Sequence, residues 1–271
     1  EPKAPPVAEE WRRAPRSDAG RLRKGASLGL FGLRKIPMVD RDSERDRLWE
    51  LLREVRESGR PRGILLTGPA ASGKSRLAEW LSRRSHELGA ATTLRATHTS
   101  NAEWSDGIGP MLDRFFRCAH LAWEEALERV QDRLAELEID ETARIHDAVG
   151  LTYLMGHRPE ERPETFPGGF DTERERNAAI RRVVRGLGRE RGVVLWLDDA
   201  IWGPDSIELA QSLFSGMSDD DLPVLAVMTA RTEDLEASRG GAELIEEMRD
   251  AGELEELRVN PLAGADHRRL V

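Results

Sequence analysis

The stretch Gly63-Ile64-Leu65-Leu66-Thr67-Gly68-Pro69-Ala70-Ala71-Ser72-Gly73-Lys74-Ser75-Arg76 decides the fold. Residues 63–67 form a short apolar run bounded by glycine, the pattern of a buried strand. From Lys74 to about Leu88, Leu77, Leu81 and Leu88 recur on one side, which predicts a helix. The loop between them fits G-x-x-x-x-G-K-[ST] at every position. Glycines let such a backbone curl until successive N–H groups point inward, and the following helix adds its positive end, so the loop is a cradle for phosphate. Lys74 brings a flexible point charge to the β- and γ-phosphates, and the Ser75 hydroxyl is a hard oxygen ligand for Mg²⁺. The expected ligand is a nucleoside triphosphate, ATP with Mg²⁺. Its candidate binding residues are Gly68, Pro69, Ala70, Ala71, Ser72, Gly73, Lys74, Ser75 and Arg76.

About 120 residues downstream lies the most apolar strand of the chain, Val193-Val194-Leu195-Trp196-Leu197, ending on Asp198-Asp199. A buried strand that delivers a carboxylate to its C-terminal edge is how a ligand for a metal-bound water is positioned in an open α/β sheet. Asp198 is the candidate metal ligand together with Ser75. Asp199 is placed to orient or deprotonate a water attacking the γ-phosphate. Aspartate is shorter than the glutamate often found at that position, so slow hydrolysis is expected. A third strand, Pro223–Thr229, leads into Ala230-Arg231. There Arg231 either senses the γ-phosphate or is a solvated residue after a strand. Just beyond the acid pair, Trp202 and Asp205 are expected to pack against and cap a helix opening near Ser206.

The remaining pattern alternates strands and helices. Leu48, Leu51, Leu52 and Val55 mark a helix face ahead of the loop, closed by Gly59 and Pro61. Thr92–Ala96 reads as a strand, and residues 105–188 read as mostly helical. Leu127, Val130, Leu134 and Leu137 form one stripe there, and Ile180, Val183, Val184 and Leu187 another. Residues 156–169, rich in Pro and Gly, interrupt them as a surface loop. Ile207, Leu209, Ala210 and Leu213 mark a further helix, and a last strand is expected near Glu256–Val259. Buried strands alternating with helices imply a mainly parallel sheet covered on both faces, a three-layer α/β domain over residues 36–262. Residues 1–35 mix Pro, Arg, Ala and Gly without sustained periodicity and read as a linker or leader. Trp11 and the apolar patch Leu28–Phe31 are its two features able to dock on the body. The chain opens without Met and stops inside a polar, helix-like run, so it is read as a segment of a longer protein.

Composition narrows the function. Of 271 residues, 39% are hydrophobic and 34% charged, an ordinary balance for a domain with a real core. The net charge of −9 hides an asymmetry: residues 1–35 carry nine Lys/Arg against four Asp/Glu, leaving about −14 on the rest. That body argues against a nucleic-acid surface, which needs clustered cations. The single cysteine, Cys118, excludes an internal disulfide and a cysteine-based zinc site, and its setting after Phe115-Phe116-Arg117 reads as core. The six histidines share no metal-ligand spacing, and His86, His98 and His120 read as surface or satisfied groups. Arg181, Arg182 and Arg185 read as a solvated helix face rather than as an arginine supplied to a neighbour. No apolar run approaches the ~18 residues a membrane span needs, and no secretory signal opens the chain. The cytoplasm is the expected compartment.

Taken together, the motifs resemble those of a known group. Val39-Asp40-Arg41-Asp42-Ser43-Glu44 resembles the "VGRE" box, residues 68–75 resemble Walker A, and Leu195–Ser206 resembles the DD-x-x-W-x-x-D-S form of Walker B. Val227–Arg231 is similar to an arginine-bearing sensor 1. The combination resembles the AAA-type ATPase domain of bacterial STAND signalling proteins over about residues 36–271. Such domains occur fused to Ser/Thr kinase, cyclase or LuxR-type DNA-binding domains. The resemblance implies an ASCE-type P-loop NTPase sheet of five strands in the order 5-1-4-3-2, with nucleotide under a helical lid. It places Met38 and Val39 beside adenine, reads residues 263–271 as the start of that lid, and implies effector and sensor domains as covalent partners. Nucleotide-dependent self-association is a further implied partnership. Asp40 stands where the family usually has glycine. The expected function is a nucleotide-dependent signalling switch with slow ATP hydrolysis. The alternatives are a replication-initiator or loader-like ATPase acting on DNA, and a P-loop small-molecule kinase.

Overall fold

The computed structural model describes residues 7–13, 38, 40–101, 105–160, 168–215, 222–235 and 239–262. Helix α1 (Asp42–Ser58) precedes strand β1 (Arg62–Gly68) and helix α2 (Lys74–Glu87). Strand β2 (Ala91–Thr97) is followed by four helices: α3 (Ile108–Phe116), α4 (Trp123–Glu136), α5 (Glu141–Leu154) and α6 (Glu173–Glu190). Strand β3 (Gly192–Asp198) then leads through a 3₁₀ turn (Ala200–Trp202) into α7 (Pro204–Phe214). Strand β4 (Val224–Arg231), helix α8 (Arg239–Asp250) and strand β5 (Leu254–Arg258) complete the order.

The five strands lie in the order β2-β3-β4-β1-β5, and every neighbouring pair is parallel. Read from the other edge this is 5-1-4-3-2, the topology implied by the family resemblance, and the molecule is a P-loop NTPase-type α/β fold. Parallel strands are buried on both faces, and the side chains alternate accordingly. Val193, Leu195 and Leu197 point into one core, with Ala226 and Met228 beside them. Val194, Trp196, Leu225 and Val227 point into the other. Helices α1 and α2 cover the second face through Leu48, Leu52, Val55, Leu77 and Leu81. The first face is covered by the longer run of helices, including the stripe Val130 and Leu134 and the stripe Ile180, Val183, Val184 and Leu187. Leu127 from the former stripe is only partly buried.

Local chemistry explains several boundaries. Gly59 ends α1 in a left-handed conformation at φ 66° and returns its N–H to Val55 O. Thr172 caps α6 by accepting the Glu175 N–H, and Asp140 caps α5 by accepting from Thr142 and Ala143. Three expectations shift. Helix α2 ends at Glu87, so Leu88 is its cap, although it still packs with Leu77 and Leu81 on the apolar side. Strand β4 runs to Arg231, so that residue ends the strand instead of following it. Helix α8 adds an element that the sequence pattern does not announce; its polar residues and the Gly240-Gly241 pair near its start conceal an apolar face of which Ile245 and Met248 are buried. Among the described residues no helix is long and apolar enough to cross a membrane.

The leader also differs from a loose linker where it is described. Residues 7–13 pack on α1 and α2, with Val7, Ala8 and Trp11 against the second core. The patch Leu28–Phe31 lies outside the described residues, as do Val39 and residues 263–271.

Candidate functional site

The topology gathers the expected residues at the C-terminal edge of the sheet. Strand β4 sits between β1 and β3, with Gly68 in register with Arg231 and Leu197 with Met228. The loop after β1 and the acid pair at the end of β3 therefore flank the end of β4, which carries Thr229, Ala230 and Arg231.

The loop folds tightly. Gly68 sits at φ 152°, and a Cβ there would lie 2.2 Å from Val259 O, so only glycine permits the approach of the segment after β5. Gly73 turns at φ 100° and Ala71 at φ 60°, the latter a left-handed position that costs a non-glycine residue about 1–2 kcal/mol. Lys74 opens α2 with its side chain folded back: Nζ donates to Gly68 O and Pro69 O, each at 2.9 Å. Burial pushes this ammonium below its ordinary range, while the negative charges of Asp199 and Glu233 work against the shift. Its donors are thus spent on two main-chain carbonyls and, at 3.5 Å, on Ser72 Oγ, which phosphate oxygens would replace with stronger, charge-assisted bonds. Ser72 is buried, Ser75 is exposed on the first turn of α2 and Arg76 is half-buried. Met38 is half-buried against the second core, and Val39 lies outside the described residues.

The acid pair is held from three sides. Thr229 Oγ1 donates to Asp198 Oδ1 at 2.8 Å and accepts the Asp199 N–H at 2.8 Å. The other carboxylate oxygen of Asp198 accepts from Arg95 Nη2 at 3.0 Å, and the Arg95 guanidinium stacks on Trp196 at 3.8 Å. The Asp198 carbonyl accepts from both the His98 main-chain N–H and Nδ1. A carbonyl only accepts, so Nδ1 carries the proton and Nε2 is left to accept from Ser206 Oγ at 2.9 Å. Burial lowers the His98 pKa and keeps that imidazole neutral. Asp199 adopts φ 50°, a left-handed strain at a loop position. Burial, then the charge of Asp198, pushes its carboxyl above the ordinary range, while Arg231 and Lys74 pull it down. Arg231 Nη2 stands 4.0 Å from Asp199 Oδ2, and its Nε is 3.8 Å from Asp234 Oδ2.

Lys74, Asp198, Asp199 and Arg231 are thus brought to one edge. Of two neighbouring expectations, one changes. Asp205 caps nothing: it lies exposed in the first turn of α7, where its charge suits the helix dipole, and Arg176 is its ionic neighbour at 3.8 Å. Trp202 packs against the first core as expected, and its indole N–H points at Asp234. Several supporting groups escape a reading of the sequence alone. Thr229 looks like no more than the polar end of a strand, and Arg95 like an ordinary strand residue. His98 is buried and satisfied, and its position just past β2, facing the end of β3, is the one available signal. Arg41 stands out in the sequence only as part of the "VGRE" box. Its buried guanidinium donates to Ser72 O at 3.0 Å, to Asn260 O and to Glu44, tying the loop to the segment after β5.

The donor set fits a hard divalent cation: an anchored aspartate carboxylate at Asp198 and an exposed hydroxyl at Ser75 are both oxygen ligands. Among the described residues the other acidic cluster, Glu173, Asp205 and Glu208, lies on α6 and α7 and contains no residue of this site.

Fold and site define a P-loop ATPase. A family model for the AAA ATPase domain matches residues 37–228, and the chain belongs to that family. No curated protein matches it. Among solved structures, one whose title describes an ATPase domain aligns over 82% of this chain and 84% of its own at 10% identity, with a TM-score of 0.28. That likeness is too slight to bear on function.

Proposed function

We propose that this domain binds Mg²⁺-ATP and hydrolyses it slowly, as a nucleotide-dependent switch of the STAND kind within a larger regulatory protein. The observation that carries the reading is the pairing of a buried Lys74, satisfied only by loop oxygens, with an acid pair locked onto the neighbouring strand end. The loop N–H groups and the Lys74 ammonium bind and orient the phosphates. Ser75 Oγ and the Asp198 carboxylate would hold Mg²⁺, which supplies charge neutralisation on the phosphate oxygens. Asp199 holds a water and accepts its proton; burial raises its pKa and so improves it as a base. Arg231 sets the charge facing Asp199 and responds to the charge lost when the terminal phosphate leaves. The adenine-side role that the family resemblance implies for Met38 and Val39 is part of this proposal.

A switch needs differential contacts in its nucleotide states rather than fast turnover. Short aspartates in both acid positions and the charge of about −14 on the body support that output over work on DNA. Calorimetric titration with ATP and Mg²⁺ tests binding, with Lys74→Ala expected to abolish most of it. Phosphate release from Asp199→Asn, compared with the unmodified chain, tests turnover. Binding unaffected by Lys74→Ala would sink the proposal; tight binding with no release in either protein would leave a non-hydrolysing switch.

A further inference from the structure

Residues 7–13, Val-Ala-Glu-Glu-Trp-Arg-Arg, lie outside the family match and yet make a dense set of specific contacts. Trp11 is their centre. Its ring meets Trp80 of α2 edge to face, with centroids 5.1 Å apart, and its indole Nε1 donates to Asp46 of α1 at 2.6 Å. The guanidinium of Arg45 covers the ring at 4.4 Å from its centroid. Arg12 Nη1 donates to the same Asp46 carboxylate at 2.9 Å. The main chain is read as well. Arg84 of α2 donates to the carbonyls of Trp11 and Arg13, and Trp49 Nε1 of α1 donates to Ala8 O at 2.8 Å. An aromatic anchor, a shared carboxylate and three main-chain bonds are the marks of a peptide site rather than of an incidental contact.

The place of this site matters as much as its chemistry. Asp46 and Trp80 stand on the second turns of α1 and α2. The residue before α1 is Arg41, which clamps the loop at Ser72 O, and the first residue of α2 is Lys74. Asp46 lies five residues beyond Arg41, and Trp80 six beyond Lys74. A segment that bonds Asp46 with one edge of its tryptophan and packs Trp80 with the ring fixes the spacing of the two helices whose N-terminal ends frame the phosphate loop. We propose that the α1–α2 face is a docking site for a tryptophan–arginine peptide, filled by residues 7–13 of this chain, and that its occupancy is coupled to nucleotide binding. The coupling rests on the nucleotide-binding reading above; the docking does not. A seven-residue ligand is weak alone, but its covalent link through residues 14–37 gives it an effective concentration of about millimolar order. Docking is therefore reversible, and the nucleotide site responds to whether the tryptophan is seated or released.

The full chain tests this with a fluorescent ATP analogue and Mg²⁺. Trp11→Ala and Asp46→Asn are each expected to weaken binding about tenfold, within the usual range of coupling between sites. The double variant should fall well short of the product of the two single effects, because both substitutions disrupt the same docked segment through the contact that Trp11 and Asp46 share. Linkage requires the reverse effect of equal size. Trypsin cleavage after Arg12, which needs the segment undocked, should slow about tenfold when ATP and Mg²⁺ are added. A purely structural strap would not respond to nucleotide in this way. If the unmodified chain binds no nucleotide, the nucleotide reading and the coupling fall together. If it binds, and neither affinity in Trp11→Ala nor cleavage after Arg12 changes, the coupling alone is overturned. Cleavage after Arg12 in the unmodified chain as fast as in Trp11→Ala overturns the docking itself.

Discussion

The hydroxyl of Thr229 bonds the side chain of Asp198 and the main chain of Asp199 at once, donating to Oδ1 of the first and accepting the N–H of the second, both at 2.8 Å. One buried oxygen on the central strand thus sets the pose of both acids, and it holds Asp199 in its left-handed turn. Thr229→Val keeps the shape and removes both bonds. The Asp199 amide is left without its acceptor, a loss of about 1–3 kcal/mol. Denaturant unfolding should show that loss. Phosphate release should fall further than nucleotide affinity, because the loop at 68–75 is untouched. Equal stability of the two proteins would show that the acid pair is held by other means.

Cys118 has no exposed surface, and burial pushes its thiol up to about 11. At neutral pH it should therefore resist alkylation by iodoacetamide in the folded chain and react in full once the chain is unfolded. Because it sits among the helices covering the first face of the sheet, its labelling rate reports opening of that core. Labelling of the native protein at the rate of a free thiol would contradict the packing around α3 and α4.

These cases separate what is local in the sequence from what is not. The alternation of apolar strands with helices and the spacing of the loop to Asp198-Asp199 are local patterns, and they carry the sheet and the two principal motifs. The contacts that hold the site span the chain. Arg95 reaches Asp198 across 103 positions, His98 reaches Ser206 across 108, and Arg41 reaches Asn260 across 219. No periodicity marks such residues, because each is an ordinary polar side chain until the sheet order brings its partner alongside. The docked leader is obscured for another reason: Pro and Arg around Trp11 are the composition of a linker, and only the aromatic groove between α1 and α2 makes the tryptophan a ligand. Helix α8 is hidden because glycines open it and its apolar face is narrow.

The leader contact should respond to acid. Hydrogen bonds from Trp11, then from Arg12, lower the Asp46 pKa below its ordinary value of 3.8, with further help from the charges of Arg12 and Arg45. Asp42 also faces Arg12, at 3.6 Å. The sign follows from linkage. A carboxyl whose docked pKa is depressed binds protons more readily when released, so docking is fully favoured above about pH 4 and weakens as pH falls from there through the docked value. Tryptophan fluorescence reads the release directly. A transition with its midpoint below 3.8 is expected in the unmodified chain and should be absent in Asp46→Asn. An identical acid transition in both proteins would assign it to general unfolding.

Arg95 occupies one oxygen of the carboxylate assigned to the metal, with Nη2 3.0 Å from Asp198 Oδ2. Its side chain is 45% exposed while that of Asp198 is 13% exposed, so solvent screens the pair and its worth is about 1 kcal/mol or less. Stacking on Trp196 gives the guanidinium a second resting contact, which stays available if the ion pair opens. Arg95 is therefore a weakly held counter-ion at the position where Mg²⁺ would compete for Asp198. Arg95→Ala removes the competitor and leaves Thr229 to hold the other oxygen. The Mg²⁺ concentration for half-maximal nucleotide binding should then fall by up to about fivefold, the equivalent of roughly 1 kcal/mol. A titration of Mg²⁺ at fixed nucleotide measures it directly. A rise in the Mg²⁺ requirement would mean instead that Arg95 aims the carboxylate, so that losing it costs more order than the vacated oxygen returns.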